Sequence, residues 1–427
     1  MPGSQKTLIF FTDSFPFGTS ETFIENEFPF LVNSFEKIII VTTNLTDAKT
    51  RKTPDNIEIV RIPYKPSFKF KVLSLLSYFN PIIQREIGFI KEEFLLKANK
   101  DILSVLLASY AKALEVNALL NMLVLKHQID LKGLYLYCYW MNDITPGVAL
   151  FKNKNPEINA MCRAHRWDVY FETQTPPYLP LRNFIIESLD VVYCISQDAY
   201  GYLQRLTNGR ATAHLKISRL GTFNRDKIVT MPNEGMMRII SCSNLIPLKR
   251  VHLIIEVLAL IDNIKIDWKH FGKGPLEAEL KALAAQKLSA KTNIEYAFMG
   301  QISNMELLEF YKKNNVDLFI NVSETEGIPV SIIEASSFGV VVIGTLVGGV
   351  GEILEEGENG FLVNQSCTPQ EVANAITRFY DMPDAQKSHM RAKAIIIWQQ
   401  KYSAENNYTD FLTSLMNLGS AEEVNLN

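Results

Sequence analysis

The chain has 427 residues, with 43 basic and 46 acidic side chains and a formal charge of −3. At roughly 100–200 residues per domain this predicts two or three domains, each able to bury its own core. Apolar residues at 47% and charged residues at 21% exclude a disordered chain, and a pI near 6.1 excludes a generally basic protein, so no nucleic-acid partner is expected.

The first apolar run, residues 8–11, is too short for a secretory signal. Five cysteines (Cys138, Cys162, Cys194, Cys242, Cys367) are widely spaced with no C-x-x-C. They read as reduced, buried thiols in a reducing cytosol and not as zinc ligands, so a cytoplasmic location is expected. In chain order, β-branched runs at 7–11, 37–42, 57–62, 133–139, 158–163, 191–196 and 216–220 alternate with helical periodicity, as in 200–206. A second series follows at 238–243, 266–271, 294–299, 316–322, 340–343 and 360–363. This alternation predicts α/β domains with doubly wound parallel sheets covered on both faces by helices. A polar stretch, 224–234, ends in a Pro-Asn-Glu-Gly turn signal and reads as the hinge between them. The expected domains are therefore 1–224 and 235–400, followed by a terminal helix and polar tail over 401–427.

Two stretches interrupt the alternation or test for a membrane span. Residues 102–125 are apolar but carry Lys112, Glu115, Asn117 and Asn121, which predicts an amphipathic helix rather than a span. Residues 64–130 as a whole read as an insertion of two or three helices, introduced by PYKPSFKFKVLSLLSYF. There Lys65, Lys69 and Lys71 flank Phe68, Phe70, Val72, Leu73 and Leu76. Two readings stand: helices packed on the first sheet with a solvated lysine edge, or a surface in peripheral contact with an anionic membrane.

The most informative segment is 316–360, VDLFINVSETEGIPVSIIEASSFGVVVIGTLVGGVGEILEEGENG. A strand is followed by a polar loop, and Pro329 then opens a helix that ends near Gly339. The helix start lies at the carboxyl end of a parallel strand, where open α/β sheets bind ligands, and its N–H groups suit a phosphate. Glu326 and Glu334 are too far apart in sequence to form one compact clamp. Glu334 suits a vicinal diol such as a ribose, and Glu326 the group beyond the phosphates. The spacing alone fits equally well a surface loop with two solvated glutamates.

The stretch from Glu326 to Glu334, EGIPVSIIE, resembles the E-x7-E signature of retaining glycosyltransferases of family 4, which have the GT-B fold. Ser323, Ala335, Gly339, Gly348, Gly349, Glu352, Gly357 and Gly360 agree with it. Upstream, SNLIPLKRVHLIIEVL resembles the family's lysine-bearing loop, FGKGPLEAEL its G-x-G-P segment, and FMGQIS a strand-end loop near the nucleotide base. The likeness spans most of 238–411. It implies two Rossmann-like domains facing a central cleft, with the C-terminal helix crossing back to the first. It also implies a nucleotide-diphosphate sugar held by Asn244, Lys249, Arg250, Ile302, Gly327, Ile328, Pro329, Val330 and Glu334. Glu326, His165 and Lys249 would carry the catalysis.

The N-terminal half resembles the family more loosely. FPFGTSETFIENEFPFL matches its acceptor-side loop and first helix, which implies acceptor contacts at Gly18, Ser20 and Glu21. LYCYWMND and CRAHRWDVY resemble segments of polysaccharide-building members, with His165 and Arg166 at a strand end facing the sugar. For His165 alone, a structural histidine is the competing reading. One departure concerns the phosphate loop, where the family often has Arg-x4-Lys and this chain has Asn244 at the Arg position. Either Arg250 supplies the second positive charge, or Lys249 and the helix N-terminus suffice. Cations at the start of a helix are otherwise unfavourable, which favours an anionic partner there.

Loss of a nucleotide diphosphate calls for charge stabilisation at the departing phosphate. Lys249 and the helix start supply it, and without a D-x-D triplet the expected reaction uses no metal and no cofactor besides the donor. The resemblance implies transfer with retention to a glycan or lipid-linked oligosaccharide in surface-polysaccharide synthesis. A dehydrogenase reading fails because Gly272-Lys-Gly274-Pro lacks the third glycine of G-x-G-x-x-G. A P-loop reading fails because Thr345, not Lys, follows Gly344. A nucleotide-sugar epimerase or hydrolase of the same fold, or a non-catalytic glycan-binding relic, remain the alternatives.

Overall fold

The structure is a computed structural model and describes residues 5–94, 96–224 and 235–418. Most of the expected 224–234 hinge lies outside the described residues. Seven strands form the first sheet: β1 (Thr7–Thr12), β2 (Lys37–Thr42), β3 (Glu58–Arg61), β4 (Leu134–Cys138), β5 (Asn159–Ala164), β6 (Val191–Cys194) and β7 (Leu215–Ile217). Six form the second: β8 (Met237–Cys242), β9 (Ile266–Phe271), β10 (Ile294–Gly300), β11 (Leu318–Asn321), β12 (Val341–Thr345) and β13 (Gly360–Val363). Each coincides with a predicted run to within one or two residues, except that β7 ends three residues before its run.

Both sheets are parallel throughout, ordered β3-β2-β1-β4-β5-β6-β7 and β10-β9-β8-β11-β12-β13. The strand order therefore reverses between β1 and β4 in one sheet and between β8 and β11 in the other. Loops leaving the carboxyl ends of those strands diverge and open a crevice. Strands β1, β4 and β12 are buried along their whole length, which is why they read as near-continuous apolar runs and not as alternating ones, while β5 is equally buried but carries Arg163. Successive side chains feed opposite faces of the sheet. Leu8 and Phe10 pack with Phe28 and Tyr137 on one face, and Ile9 and Phe11 with Val116 and Leu120 on the other.

The insertion forms three helices, Phe68–Leu76, Pro81–Glu92 and Lys100–His127. By length and composition the 28-residue third helix could cross a membrane. Its buried stripe nevertheless packs into this unit: Val116, Leu120 and Leu123 join the sheet core, and Ile102, Leu106 and Tyr110 meet Ile83, Ile87 and Ile90. Lys112 is buried within it, donating to the Pro63 carbonyl and, at 3.0 Å, to Glu115.

The chain divides into one unit of residues 1–219 and 408–427 and a second of 220–407. The division falls before residue 224 because residues 221–222 bond to the C-terminal segment within the second unit. Thr222 N–H donates to the Tyr402 carbonyl at 3.0 Å, Ala404 N–H returns to Thr222 at 3.1 Å, and Trp398 Nε1 donates to Thr222 Oγ1 at 2.8 Å. Helix Ala404–Met416 leaves that unit from Tyr408 onward, and its Phe411 and Leu415 lie in the first unit's core. The five cysteines are free, and burial pushes the Cys138 and Cys194 thiols up to about 12, so they are inert core groups.

A buried charge network fixes the end of β5. Arg163 lies 3.1 Å from Glu27, donates to Tyr137 Oη at 2.9 Å and to the Ser218 carbonyl at 2.7 Å, and stacks over Phe411. Arg163→Ala strands the Glu27 carboxylate in the core and should destabilise this unit by about 3–5 kcal/mol. Urea unfolding read by tyrosine and tryptophan fluorescence checks this.

Candidate active site

In the second unit, two loops meet at the β8/β11 reversal. Residues 243–250 follow β8, and two glycines of the next strand-end turn buttress them. A Cβ on Gly272 (φ +136°) would lie 1.9 Å from the Ser243 carbonyl oxygen, and one on Gly274 would lie 2.4 Å from that of Leu245. The G-x-G-P segment thus exists to let two backbones touch. Asn244 is exposed at the start of this loop. Lys249 donates from Nζ to Glu326 Oε1 at 2.6 Å, and Asn321 Nδ2, at the end of β11, donates to the same oxygen at 3.2 Å. Arg250 departs from expectation. Its backbone is left-handed (φ 46°), and its guanidinium donates to the carbonyls of Val322 at 2.6 Å and Gln365 at 2.7 Å. It ties loop to strand, so Lys249 is the loop's cation at the site.

The Glu326 loop is shaped from behind by Gly348 and Gly349. A Cβ on Gly348 (φ +50°) would stand 2.0 Å from the Glu326 carbonyl oxygen, and Gly349 N–H donates to the Gly327 carbonyl at 2.7 Å. Ile328 and Pro329 are buried and Val330 half-buried as helix Val330–Ser337 begins. Glu334 occupies a separate pocket. Asn304 donates to its Oε1, while the Cys242 thiol and the Tyr311 hydroxyl feel its charge. Burial, offset in part by Asn304, pushes the Glu334 carboxyl up to about 7. Ile302 is half-buried in the loop that joins Gly300 to Asn304. The two glutamates therefore have separate partners: one holds a lysine, the other lies in an apolar pocket near neutrality.

In the first unit, the β1/β4 reversal gathers a second cluster. Glu21, expected as an acceptor contact, is fully used as a clamp. Its carboxylate accepts from the N–H groups of Asp13 (3.0 Å), Ser14 (2.6 Å) and Phe15 (2.6 Å), from Ser14 Oγ (2.9 Å) and from Trp140 Nε1. Ser20 is exposed, with Oγ 2.7 Å from Ser14 Oγ. Gly18 (φ +64°) passes close to Asp47 and its carbonyl accepts from Arg51 at 2.6 Å. His165 is buried beneath Trp140, ring centroids 4.2 Å apart, and neither ring nitrogen has a hydrogen-bond partner. Arg166 is half-buried, its carbonyl accepting from Tyr170 N–H at 3.2 Å.

The motifs did not single out several residues the structure brings to this cluster. Asp168 accepts from the His165 and Met141 N–H groups at 2.6 and 2.8 Å. Asp13 accepts from Asn142 Nδ2 at 2.8 Å, and burial beside Glu21 and Asp168 pushes its carboxyl up to about 7. Asp13 directly follows β1, and that position at a strand's carboxyl end was the available signal. In the second unit Asn304 and Asn321 were missed in the same way, one from a helix start and one from the end of β11.

Three comparisons bear on this geometry. A family model of glycosyl transferases group 1 matches residues 223–395. Those residues are similar to that family. N-acetyl-alpha-D-glucosaminyl L-malate synthase of Bacillus anthracis is 26% identical over 233 residues, 52% of this chain and 59% of the relative. A putative colanic acid biosynthesis glycosyltransferase, WcaL of Salmonella typhimurium, is 26% identical over 47% of this chain and 50% of its own. The match thus spans between half and three-fifths of these curated relatives. Among solved structures, Anabaena Alr3699/HepE in complex with UDP superposes with a TM-score of 0.66 at 18% identity, over 97% of this chain and 100% of that one. This supports the GT-B fold class.

Two outcomes follow from the second unit's geometry. Glu334 binds its proton more tightly folded than unfolded, so its contribution favours folding below pH about 4.5 and is lost as pH rises to about 7. Glu334→Gln should flatten that decline by on the order of 3 kcal/mol at most, read from urea midpoints of variant and wild type across the range. Gly348→Ala should destabilise the unit by about 1–3 kcal/mol and displace the Glu326 loop, measured by thermal unfolding and by the variant's crystal structure.

Proposed function

We propose that the chain is a retaining glycosyltransferase that moves a sugar from a nucleotide-diphosphate sugar to a glycan acceptor. The observation that carries this reading is the Lys249–Glu326 pair at the β8/β11 reversal, with Glu334 held apart in its own pocket. A donor entering here draws Lys249 from Glu326 onto its diphosphate. The lysine then offsets the charge that develops as the sugar–phosphate bond breaks, and the reading uses no metal for this. Glu326, released and still held by Asn321, turns to the sugar and supports positive charge at the reacting carbon. Glu334 meets the hydroxyls of the nucleoside, whose donated hydrogen bonds favour its ionised form. Retention follows from attack on the same face through an oxocarbenium-like ion pair.

His165, with two unsatisfied ring nitrogens, is suited to hydrogen-bond a sugar hydroxyl. The Asp13–Asn142 pair and the neighbouring tryptophans suit the acceptor, with carboxylate for hydroxyls and indole for a sugar face. Solved neighbours bound to UDP and UDP-glucose support a nucleotide-sugar donor. The colanic acid relatives support a surface polysaccharide, lipid-linked in our reading and extended at the cytoplasmic side of a membrane.

Glu326→Ala should lower turnover by about 10²–10³ with little change in Tm; near-normal turnover removes it from the mechanism. Lys249→Met should weaken UDP binding by about tenfold or more in isothermal titration, and unchanged affinity refutes its role. Product analysis with and without acceptor distinguishes transfer from epimerisation or hydrolysis.

A further inference from the structure

The first helix of the insertion is packed inside out. Phe68–Leu76 buries Ser74, at 2% exposure, and half-buries Phe70. It leaves Phe68 at 81%, Leu75 at 62% and Leu76 at 75% in solvent, and Phe79 follows at 83% in the 3-10 turn Ser77–Phe79. Phe68, Val72, Leu75 and Leu76 stand at i, i+4, i+7 and i+8, an outward stripe within about 100° of arc. A soluble helix turns such a stripe toward its core. Here the core side is already filled by Pro81–Glu92 and Lys100–His127, which pack on each other through Ile83, Ile87, Ile90, Ile102 and Leu106. An exposed apolar patch of this kind marks a contact surface.

The charge around the stripe identifies the partner. Residues 62–84 contain Lys65, Lys69 and Lys71 and no Asp or Glu, while Arg85 just beyond them is paired with Glu187 at 3.0 Å. On the helix, Lys69 and Lys71 fall on opposite edges of the stripe, so that their stems can lie along apolar material while their ammonium groups stay in water. Of the acids that reach this segment, Glu115 is taken by Lys112 at 3.0 Å and by the Ser67 N–H at 3.3 Å, and Asp143 accepts from Tyr64 Oη at 3.5 Å. A protein groove complementary to this surface would need one apolar trough flanked by two rows of acid. A bilayer with anionic headgroups offers that order everywhere. We propose that residues 64–79 dock the chain on an anionic lipid surface, with Phe68, Leu75, Leu76 and Phe79 entering the acyl boundary and the lysines at the headgroups. This stands independently of the catalytic reading.

Flotation of the full chain with phosphatidylcholine vesicles, with and without phosphatidylglycerol, tests it. Wild type should rise with the anionic vesicles and far less with the zwitterionic ones, and high salt should weaken the binding. The triple change Phe68→Ser, Leu76→Ser and Phe79→Ser should lower partitioning by about a hundredfold or more. Converting Lys65, Lys69 and Lys71 to Gln should lower it about fivefold per lysine. Circular dichroism and Tm should be unchanged in both. Wild type that stays below the anionic vesicles, or variants that rise with it, overturn the proposal. So does a wild-type dimer, seen by light scattering, that the triple serine change dissociates, since the stripe is then covered by a second copy.

Discussion

Everything chemical in this chain depends on where parallel strand order reverses. In each sheet two neighbouring strands send their following connections in opposite directions, so the loops at their carboxyl ends part and leave polar backbone facing a crevice. Residues 243–250 and the Glu326 loop occupy that place at β8 and β11. Asp13, Trp140 and Asn142 occupy it at β1 and β4. The strands themselves are largely apolar and mostly enclosed, so they hold these loop origins rigidly while the loops carry most of the charge. Much of the glycine in the site region serves this arrangement: Gly272, Gly274, Gly348 and Gly349 let one loop backbone rest against another with no side chain between.

On that scaffold the two glutamates of one motif are placed in opposite electrostatic conditions. Glu326 has a lysine and an asparagine and holds a charge that a ligand must redistribute. Glu334 is enclosed with one amide donor, and its proton comes off only near neutrality. In the proposed reading, an incoming diphosphate would compete for Lys249, and incoming hydroxyls would relieve the desolvation of Glu334. Each acid is therefore left incompletely satisfied in a way that a nucleotide sugar would correct. His165 in the first unit fits the same logic: Asp168 stands 3.8 Å from its Nδ1, and neither buried ring nitrogen makes a hydrogen bond, at a cost of about 1–3 kcal/mol for a group left unsatisfied. A histidine serving only to fill space would be expected to have one of those nitrogens bonded.

The two parallel sheets and the thirteen described strands were legible because they follow from apolar runs, whereas the order of strands within each sheet and the Lys249–Glu326 pair were not. What escaped the sequence were facts of direction. Arg250 follows Lys249 in the chain, but a left-handed backbone sends its guanidinium to two carbonyls, and no one-dimensional pattern reports the sign of φ. Glu21 lies in an acceptor-like motif, yet its carboxylate folds back onto the N–H groups of residues 13–15, and the half-buried Asp13 holds Asn142 instead. Asn304 and Asn321 reach their glutamates from distant elements, which only tertiary contact brings close. The insertion shows the same limit. Its helices were predictable from periodicity, whereas which side of Phe68–Leu76 faces inward depends on neighbours that already fill the core.

That outward stripe also bears on how the chain's stability is spent. Burying a large apolar side chain is worth about 1.5–3 kcal/mol, so four such groups in water forgo an amount comparable to the whole net stability of a typical domain. The adjoining helices show that the sequence can bury apolar faces well: Pro81–Glu92 encloses Ile83 and Ile90 completely. The contrast lies between two consecutive helices of one insertion, one closed on the core and one open. A general failure of packing would not respect that boundary, but a division of labour would, with the inner helices anchoring to the sheet and the outer one left free to meet a surface that is itself apolar.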